Sequence, residues 1–280
     1  MATTDIYTVV GSIHPTINGT RWLGGAVDDQ IQVNAAAAAA IAGAHTKGCM
    51  ACWVMVPDRT GTYTAFSFGD ASVVEYMQVT IEAGTVQFVL VDNTTTLIDV
   101  NTPANSIQPH RWHHVAVVQD GTLLKIYIDG ILQTLTWTTR TNPGAWASLL
   151  SGLDSGSIGA AEMDGAGNLT QEFKGYIGPV AYWGGTVAAA ALSEEEVRRA
   201  MYAPESVEAT YLQNYWKCDG DVNDDGTGAD NGTIVGDVIY VSANEFASRM
   251  TFGCGTMLVA DKVVIGSGDN IAYGLVIQAA

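Results

Sequence analysis

The sequence predicts an all-β protein: a β-sandwich or barrel of short strands with one short helix and a small β-rich C-terminal module. Three observations carry that reading. Short runs alternate apolar and polar residues, as half-buried strands do, most clearly over His113–Gln119 and Leu123–Asp129. Turn signals separate the runs at hairpin spacing, with Asp120-Gly121 and Asp129-Gly130 at residues suited to the positive φ of type I′ turns. The composition, 48% hydrophobic and 15% charged with 31 glycines in 280 residues, suits a buried core built from short strands and tight turns.

In chain order, residues 1–20 read as an N-terminal arm, with turn signals at Gly11, Pro15 and Asn18-Gly19. Ala26–Val33 alternates as a strand. The Ala-rich stretch Asn34–His45 follows as a short surface helix or turn with Asn34 as its N-cap, because six consecutive alanines favour helix. Cys49–Val56 is a buried strand closed by Pro57-Asp58. Tyr63–Gly69, Tyr76–Glu82, Val86–Val91 and Thr95–Val100 follow as strands, then the His113–Asp129 hairpin and one strand over Leu132–Thr138. Ser157–Ala161 and Phe173–Trp183 are further strands.

One helix is marked by its ends. Ser193 and Glu196 form a capping box, Leu192 and Val197 stand at the positions of a hydrophobic staple, and Pro204 stops the helix. A change of character puts boundaries near 20 and 205, giving 1–20, 21–205 and 206–280. In the last segment Tyr211–Cys218, Ile234–Val241, Met250–Gly253, Thr256–Ala260, Lys262–Ile265 and Ala272–Ile277 are candidate strands.

The net charge of −17 argues against nucleic-acid binding, since no Lys/Arg stripe is present to displace counterions from phosphates. It argues equally against docking on anionic membranes, and no apolar run reaches the length of a membrane span. The start, MATTDIYTVV, carries no visible secretory signal. Cys49, Cys52, Cys218 and Cys254 read as buried small hydrophobes. Residues three apart on a strand face opposite sides, so the Cys49-x-x-Cys52 thiols should not converge. His110, His113 and His114 read as a strand entry rather than a zinc triad.

In their order and spacing, several pieces resemble the laminin-G-like, concanavalin-A-like jelly roll of the bacterial and phage type. They are AVDDQIQV (26–33), ACWVMVPD (51–58), FSFGD (66–70), WHHVAVVQDGTLLKIYIDG (112–130), SIGA (157–160), FKGYIGPVAYW (173–183) and ALSEEEVRRAMYAP (191–204). The resemblance implies two antiparallel sheets with one concave face. Asp28, Asp29 and Asp164 could border a calcium site of the family's type at the sandwich rim, the favoured alternative being ordinary turn and edge chemistry. Two departures bear on that transfer: Ile177-Gly178-Pro179-Val180 stands where the family has an acidic pair, and Leu23-Gly24-Gly25 lacks the usual Asp. The segment YWKCDGDVNDDGTGADNGTIVGD (215–237) is similar to one that usually opens such a domain. It either begins a truncated second copy or supplies the first strand from the other end of the chain.

Asp219, Asp221 and Asn223 take the first, third and fifth places of an EF-hand-type calcium loop. Asp224 replaces the turn glycine, which favours a solvated acidic turn. No cofactor is expected, with calcium as the alternative. Trp137, Trp146 and Trp183 are the aromatics that could stack on a sugar ring. The carboxylate pattern of this fold's glycosidases and any nucleophile–base motif are missing, so an enzyme is not expected. The leading expectation is a virion structural protein, a phage capsid decoration or fibre component at the particle surface, bound to other virion proteins or its own copies as a homo-oligomer. The alternative is a carbohydrate-binding module recognising host or surface glycans, with or without calcium.

Overall fold

The computed structural model describes residues 19–24, 29–166 and 168–242. In chain order they form β1 (Gly19–Gly24), β2 (Gln30–Gln32), helix α1 (Asn34–Ala42), β3 (Lys47–Met55), β4 (Thr62–Gly69), β5 (Tyr76–Glu82), β6 (Thr85–Asp92) and β7 (Thr95–Asn101). Next come β8 (His113–Gln119), β9 (Leu124–Ile128), β10 (Ile131–Leu132), β11 (Thr136–Arg140), β12 (Ser155–Ile158), β13 (Ala161–Glu162) and β14 (Leu169–Thr170). The chain continues with β15 (Lys174–Gly185), helix α2 (Glu194–Ala200), β16 (Leu212–Trp216), β17 (Thr233–Val235) and β18 (Ile239–Ser242).

The strands build two large antiparallel sheets. Sheet I runs β10-β9-β8-β3-β15-β1-β18, with β16 also paired to the C-terminal half of β15. Sheet II runs β11-β7-β6-β5-β4-β12-β2-β17, and β13 and β14 form a separate two-stranded ribbon. This is the expected jelly-roll sandwich, and the expected strands Tyr76–Glu82 and His113–Gln119 match to the residue. The β8–β9 hairpin lies toward one edge of sheet I, where β10 is outermost.

Turn chemistry differs between the two Asp-Gly pairs. Asp129 (φ 52°) and Gly130 (φ 73°) form the expected two-residue turn between Ile128 and Ile131. At Asp120 the loop is longer, because Gln119 pairs with Leu124. There only Gly121 has positive φ, and Asp120 acts through its carboxylate, which accepts the Thr122 and Leu123 N–H groups. The single strand expected over Leu132–Thr138 is two: β10 pairs with β9 in sheet I, and β11 with β7 in sheet II. The chain changes sheets between them.

The core between the sheets follows from the alternation. Met50, Cys52, Val54, Val115, Val117 and Ile126 of sheet I meet Phe66, Phe68, Val79, Phe88, Leu90 and Ile98 of sheet II. Each such side chain contributes roughly 1.5–3 kcal/mol by burial. Helix α1 packs Ala36, Ala37 and Ala40 against this core. Its N-cap is Val33, not Asn34. Asn34 is the first helical residue, and its Oδ1 accepts the Gly156 N–H at 2.9 Å, tying the helix start to β12. Cys49 belongs to a second apolar cluster on the outside of sheet I, so the two thiols of Cys49-x-x-Cys52 face opposite ways.

That second cluster seals the outer face of sheet I. Cys49, Ala51, Ala116, Val118, Tyr127, Ala181, Trp183, Leu212 and Tyr215 pack under Leu192, Val197, Ala200 and Val207. Helix α2 is held there by the expected capping box, in which Ser193 and Glu196 satisfy each other's backbone N–H groups. Two indole N–H groups anchor the following segment: Trp53 Nε1 donates to the Met201 carbonyl at 3.2 Å, and Trp183 Nε1 to Val207 at 2.9 Å.

Residues 206–242, expected to begin a β-rich C-terminal module, are built into the sandwich. β16 pairs with β15 and β18 with β1 in sheet I, while β17 pairs with β2 in sheet II. The expected arm 1–18 and the candidate strands from Met250 onward lie outside the described residues.

Candidate functional site

The outer face of sheet II is polar, in contrast to that of sheet I. Strand pairing sets Gln32, Ser157, Ser67 and Gln78 side by side across β2, β12, β4 and β5. Alternation puts Gln30 and Thr80 on the same face, and a bulge between Thr64 and Phe66 brings Thr64 to it as well, opposite Thr80. The β13–β14 ribbon and Gln171 fold over part of this face. Gln171 accepts hydrogen bonds from Thr64 Oγ1 (3.1 Å) and Gln78 Nε2 (3.3 Å), and Ser67 Oγ donates to the Ala160 carbonyl at 2.7 Å.

Where the ribbon ends, a cleft of about 370 Å³ opens between β2, β12 and β17. Its lining is Gln30, Gln32, Asn34, Asp154 and Ser155, with Ala71, Leu169 and Val235 as apolar contacts. The Asn34 carbonyl oxygen is engaged by Gly156, so its amide NH₂ is what it offers a ligand. Asp154 Oδ1 accepts the Ala71 N–H at 2.8 Å, which fixes the carboxylate on the rim. Three amides, a hydroxyl and a carboxylate beside two branched apolar side chains make a site that can both donate to and accept from hydroxyl groups.

The expected site residues are placed differently. Trp146 and Trp183 are buried in the two apolar clusters and present no face to a sugar; Trp146 stacks on Phe88 with centroids 5.7 Å apart. Their expected exposure is corrected by what covers them: Trp146, in the loop before Ala147, packs into the core between the sheets, and Trp183 turns to the outer face of sheet I, where helix α2 and Val207 bury it. Trp137 on β11 is half-buried against the core, with the Arg140 guanidinium 5.1 Å over its ring.

Among the described residues, the proposed calcium ligands Asp29 and Asp164 are each engaged in separate hydrogen bonds. Asp28 lies outside the described residues. Asp29 is buried and its Oδ1 accepts the Asp237 N–H at 2.7 Å, joining β2 to the β17–β18 connection. Asp164 closes its own turn by accepting from Ala166 N (2.8 Å) and Asn168 Nδ2 (2.8 Å).

In the acidic loop, Asp221 accepts from both the backbone and the side-chain amide of Asn223, so these two satisfy each other. Asp219 lies beside them on the exposed turn, among the charges around Lys217. Asp224, where a calcium loop needs glycine, is the hub. Its carboxylate accepts from the backbone N–H groups of Tyr215, Gly226 and Asp230 and from Asn214 Nδ2. Among the described residues no group of three or more His, Cys, Asp or Glu side chains is arranged to hold a metal ion.

The histidines are structural. His113 Nε2 accepts the Gln108 N–H at 3.0 Å, so its Nδ1 carries the proton donated to Asp129 Oδ2 at 2.9 Å. Burial pushes the Asp129 carboxyl up, but this bond and the one from His114 N–H outweigh it and hold the group below its usual range. His114 sits edge-on to Trp53 at 5.2 Å.

The cleft residues were legible in part. Gln30-Ile31-Gln32 alternates, which puts two amides on one strand face next to Asn34. Asp154 and Ser155 arrive from far along the chain, and only the β12–β2 pairing brings them there.

No curated protein sequence matches this chain. Solved structures share its fold at low identity. The CBM40 module of the Ruminococcus gnavus IT-sialidase matches with a TM-score of 0.50 and 17% identity, over 65% of this chain and 97% of that one. A presumed carbohydrate-binding protein of Bacteroides ovatus matches at 0.53 and 16%, over 81% and 60%. The NanB sialidase of Streptococcus pneumoniae matches at 0.50 and 15%, over 66% and 28%, so this chain spans a minor part of that enzyme. The Laminin_G_3 family profile matches residues 24–198, and the chain belongs to that family of the concanavalin A-like lectin/glucanases superfamily.

Proposed function

We propose that this protein is a carbohydrate-binding module and that the cleft on the outer face of sheet II is its binding site. The observation that carries this reading is the lining itself: Gln30, Gln32, Asn34, Asp154 and Ser155 converge on one opening beside Leu169 and Val235. Sugar hydroxyls need donors and acceptors together, and amides supply both. Fold relatives whose names refer to carbohydrate binding support the same reading.

The reading is non-catalytic. Glycoside hydrolysis in most families works through two carboxyl groups flanking the scissile bond, and Asp154 is the one carboxylate in this lining. A place on a virus particle and self-association, both expected from the sequence, draw no support from these relatives.

The test is a glycan array probed with the intact chain and with Gln32→Ala. Gln32 is half-buried on an outer face, so its loss should leave unfolding within about 0.5 kcal/mol of the parent. It should weaken glycan binding about tenfold or more, the size of one or two hydrogen bonds to ligand. An array without a hit, or hits indifferent to Gln32→Ala, would overthrow the reading.

A further inference from the structure

The cleft has a charge character that narrows its ligand class, an inference that rests on the carbohydrate-binding reading above. None of its lining residues is Lys or Arg, and its one charged side chain is the Asp154 carboxylate, held on the rim by Ala71 N–H. The residues that flank the lining add acid, not base. Asp29 precedes Gln30 and is buried. Asp70 precedes Ala71 and is buried too, with its Oδ1 accepting the Ser72 and Val73 N–H groups. Glu75, at the end of that loop, accepts from Ser151 N at 2.8 Å, bringing a further carboxylate to the segment that carries Asp154.

Several of the described cations are engaged with groups outside the cleft lining. Lys47 donates to the Asp120 carbonyl and Lys125 to its carboxylate. Arg59 bonds Asn105 and Gln108, Arg198 pairs with Glu194, and Lys217 pairs with Asp225. The chain as a whole carries a net charge of −17.

We infer that the cleft takes an uncharged glycan and turns away sialic acids, uronic acids and sulfated sugars. A carboxylate or sulfate in a binding site is held by a guanidinium fork, an ammonium or a row of backbone N–H groups. Here an anion would enter beside Asp154 with no lining cation to compensate it. Uncharged hydroxyls meet no such penalty. Asp154 Oδ2 can accept from a sugar hydroxyl, the Asn34 NH₂ can donate to its neighbour, and Gln30 and Gln32 can do either.

The experiment compares uncharged glycans with their sialylated, uronic and sulfated counterparts on one array, at physiological and at low salt, using the intact chain. Bound glycans should be uncharged ones, and adding one sialic acid to a bound glycan should weaken it about tenfold or more. The gap should widen at low salt, where repulsion is less screened. Asp154→Asn keeps an oxygen for Ala71 N–H. It should weaken the uncharged ligand while narrowing the charged-to-uncharged gap about threefold or more, because one repelling charge is gone. Equal or tighter binding of a sialylated or sulfated glycan would overturn the inference and leave the carbohydrate-binding reading standing. An array with no hit of any kind would overturn both.

Discussion

The two outer faces of this sandwich are made from the same kind of strand and do opposite things. Sheet I covers its outer face with apolar side chains and closes it with helix α2 and the segment to Val207. Sheet II presents Gln30, Gln32, Thr64, Ser67, Gln78 and Thr80, partly covered by a small ribbon and open at one end. An apolar outer face is explained by stability alone. A row of amides and hydroxyls is not, since several of its buried polar atoms find no hydrogen-bond partner in the fold, among them Gln78 Oε1, Thr80 Oγ1 and Ser157 Oγ. The polar face is therefore where selection for something other than folding is most visible.

The largest effect that would test this contrast is at Trp183. Its ring is fully buried on the sealed face, and its indole N–H holds Val207. Trp183→Ala should cost about 3–5 kcal/mol of unfolding free energy, read from urea melts, through a cavity and an orphaned carbonyl. A cost below about 1 kcal/mol would mean that the outside of sheet I is not a core at all.

The contrast also marks what a sequence can disclose. Tyr76–Glu82 and His113–Gln119 were legible because alternation and turn residues are local signals. The sheet change between Leu132 and Thr136 was not, because each half alternates and nothing in Gln133–Leu135 says that the partner strand differs. Tryptophans were conspicuous as candidate sugar platforms, yet no local signal says what will cover a large ring: Trp146 packs into the core from a loop, and Trp183 lies on the outer face of sheet I beneath helix α2 and Val207. The cleft joins Gln30 and Gln32 to Asp154 and Ser155 across more than a hundred positions, and only strand pairing supplies that link.

A smaller effect is expected at Glu162, on the ribbon that covers sheet II. Its carboxyl is buried; Oε1 accepts the Asp164 and Gly165 N–H groups, and Oε2 has no partner. Burial pushes its pKa up from the ordinary 4.5. The sign follows: the folded state prefers the protonated form, so this group's contribution is fully present below pH 4.5 and is lost as pH rises through the folded value. Glu162→Gln keeps an oxygen for both N–H groups and carries no charge. Thermal melts should show the variant more stable than the parent at neutral pH, with the advantage shrinking toward acid. An advantage that does not change with pH would show that the buried charge is not its cause.

The smallest effect separates the covered part of the polar face from the open part. Thr80 is fully buried opposite Thr64, which hydrogen-bonds Gln171 just after the ribbon, and its own Oγ1 has no hydrogen-bond partner in the fold. Valine has the same branched shape and equal liking for a strand, so Thr80→Val exchanges an unsatisfied hydroxyl for a methyl group in an unchanged outline. Unfolding should become harder by up to about 1 kcal/mol, because removing an unpaired buried polar group removes its desolvation penalty. Glycan binding should not move, because Thr80 is not in the lining of the cleft. Lost binding with unchanged stability would break the division between covered and open regions, since a buried hydroxyl outside the lining would then be reaching the ligand. The site would have to be redrawn as a longer groove running under β13 and β14 toward Gln78, with the ribbon displaced when sugar binds.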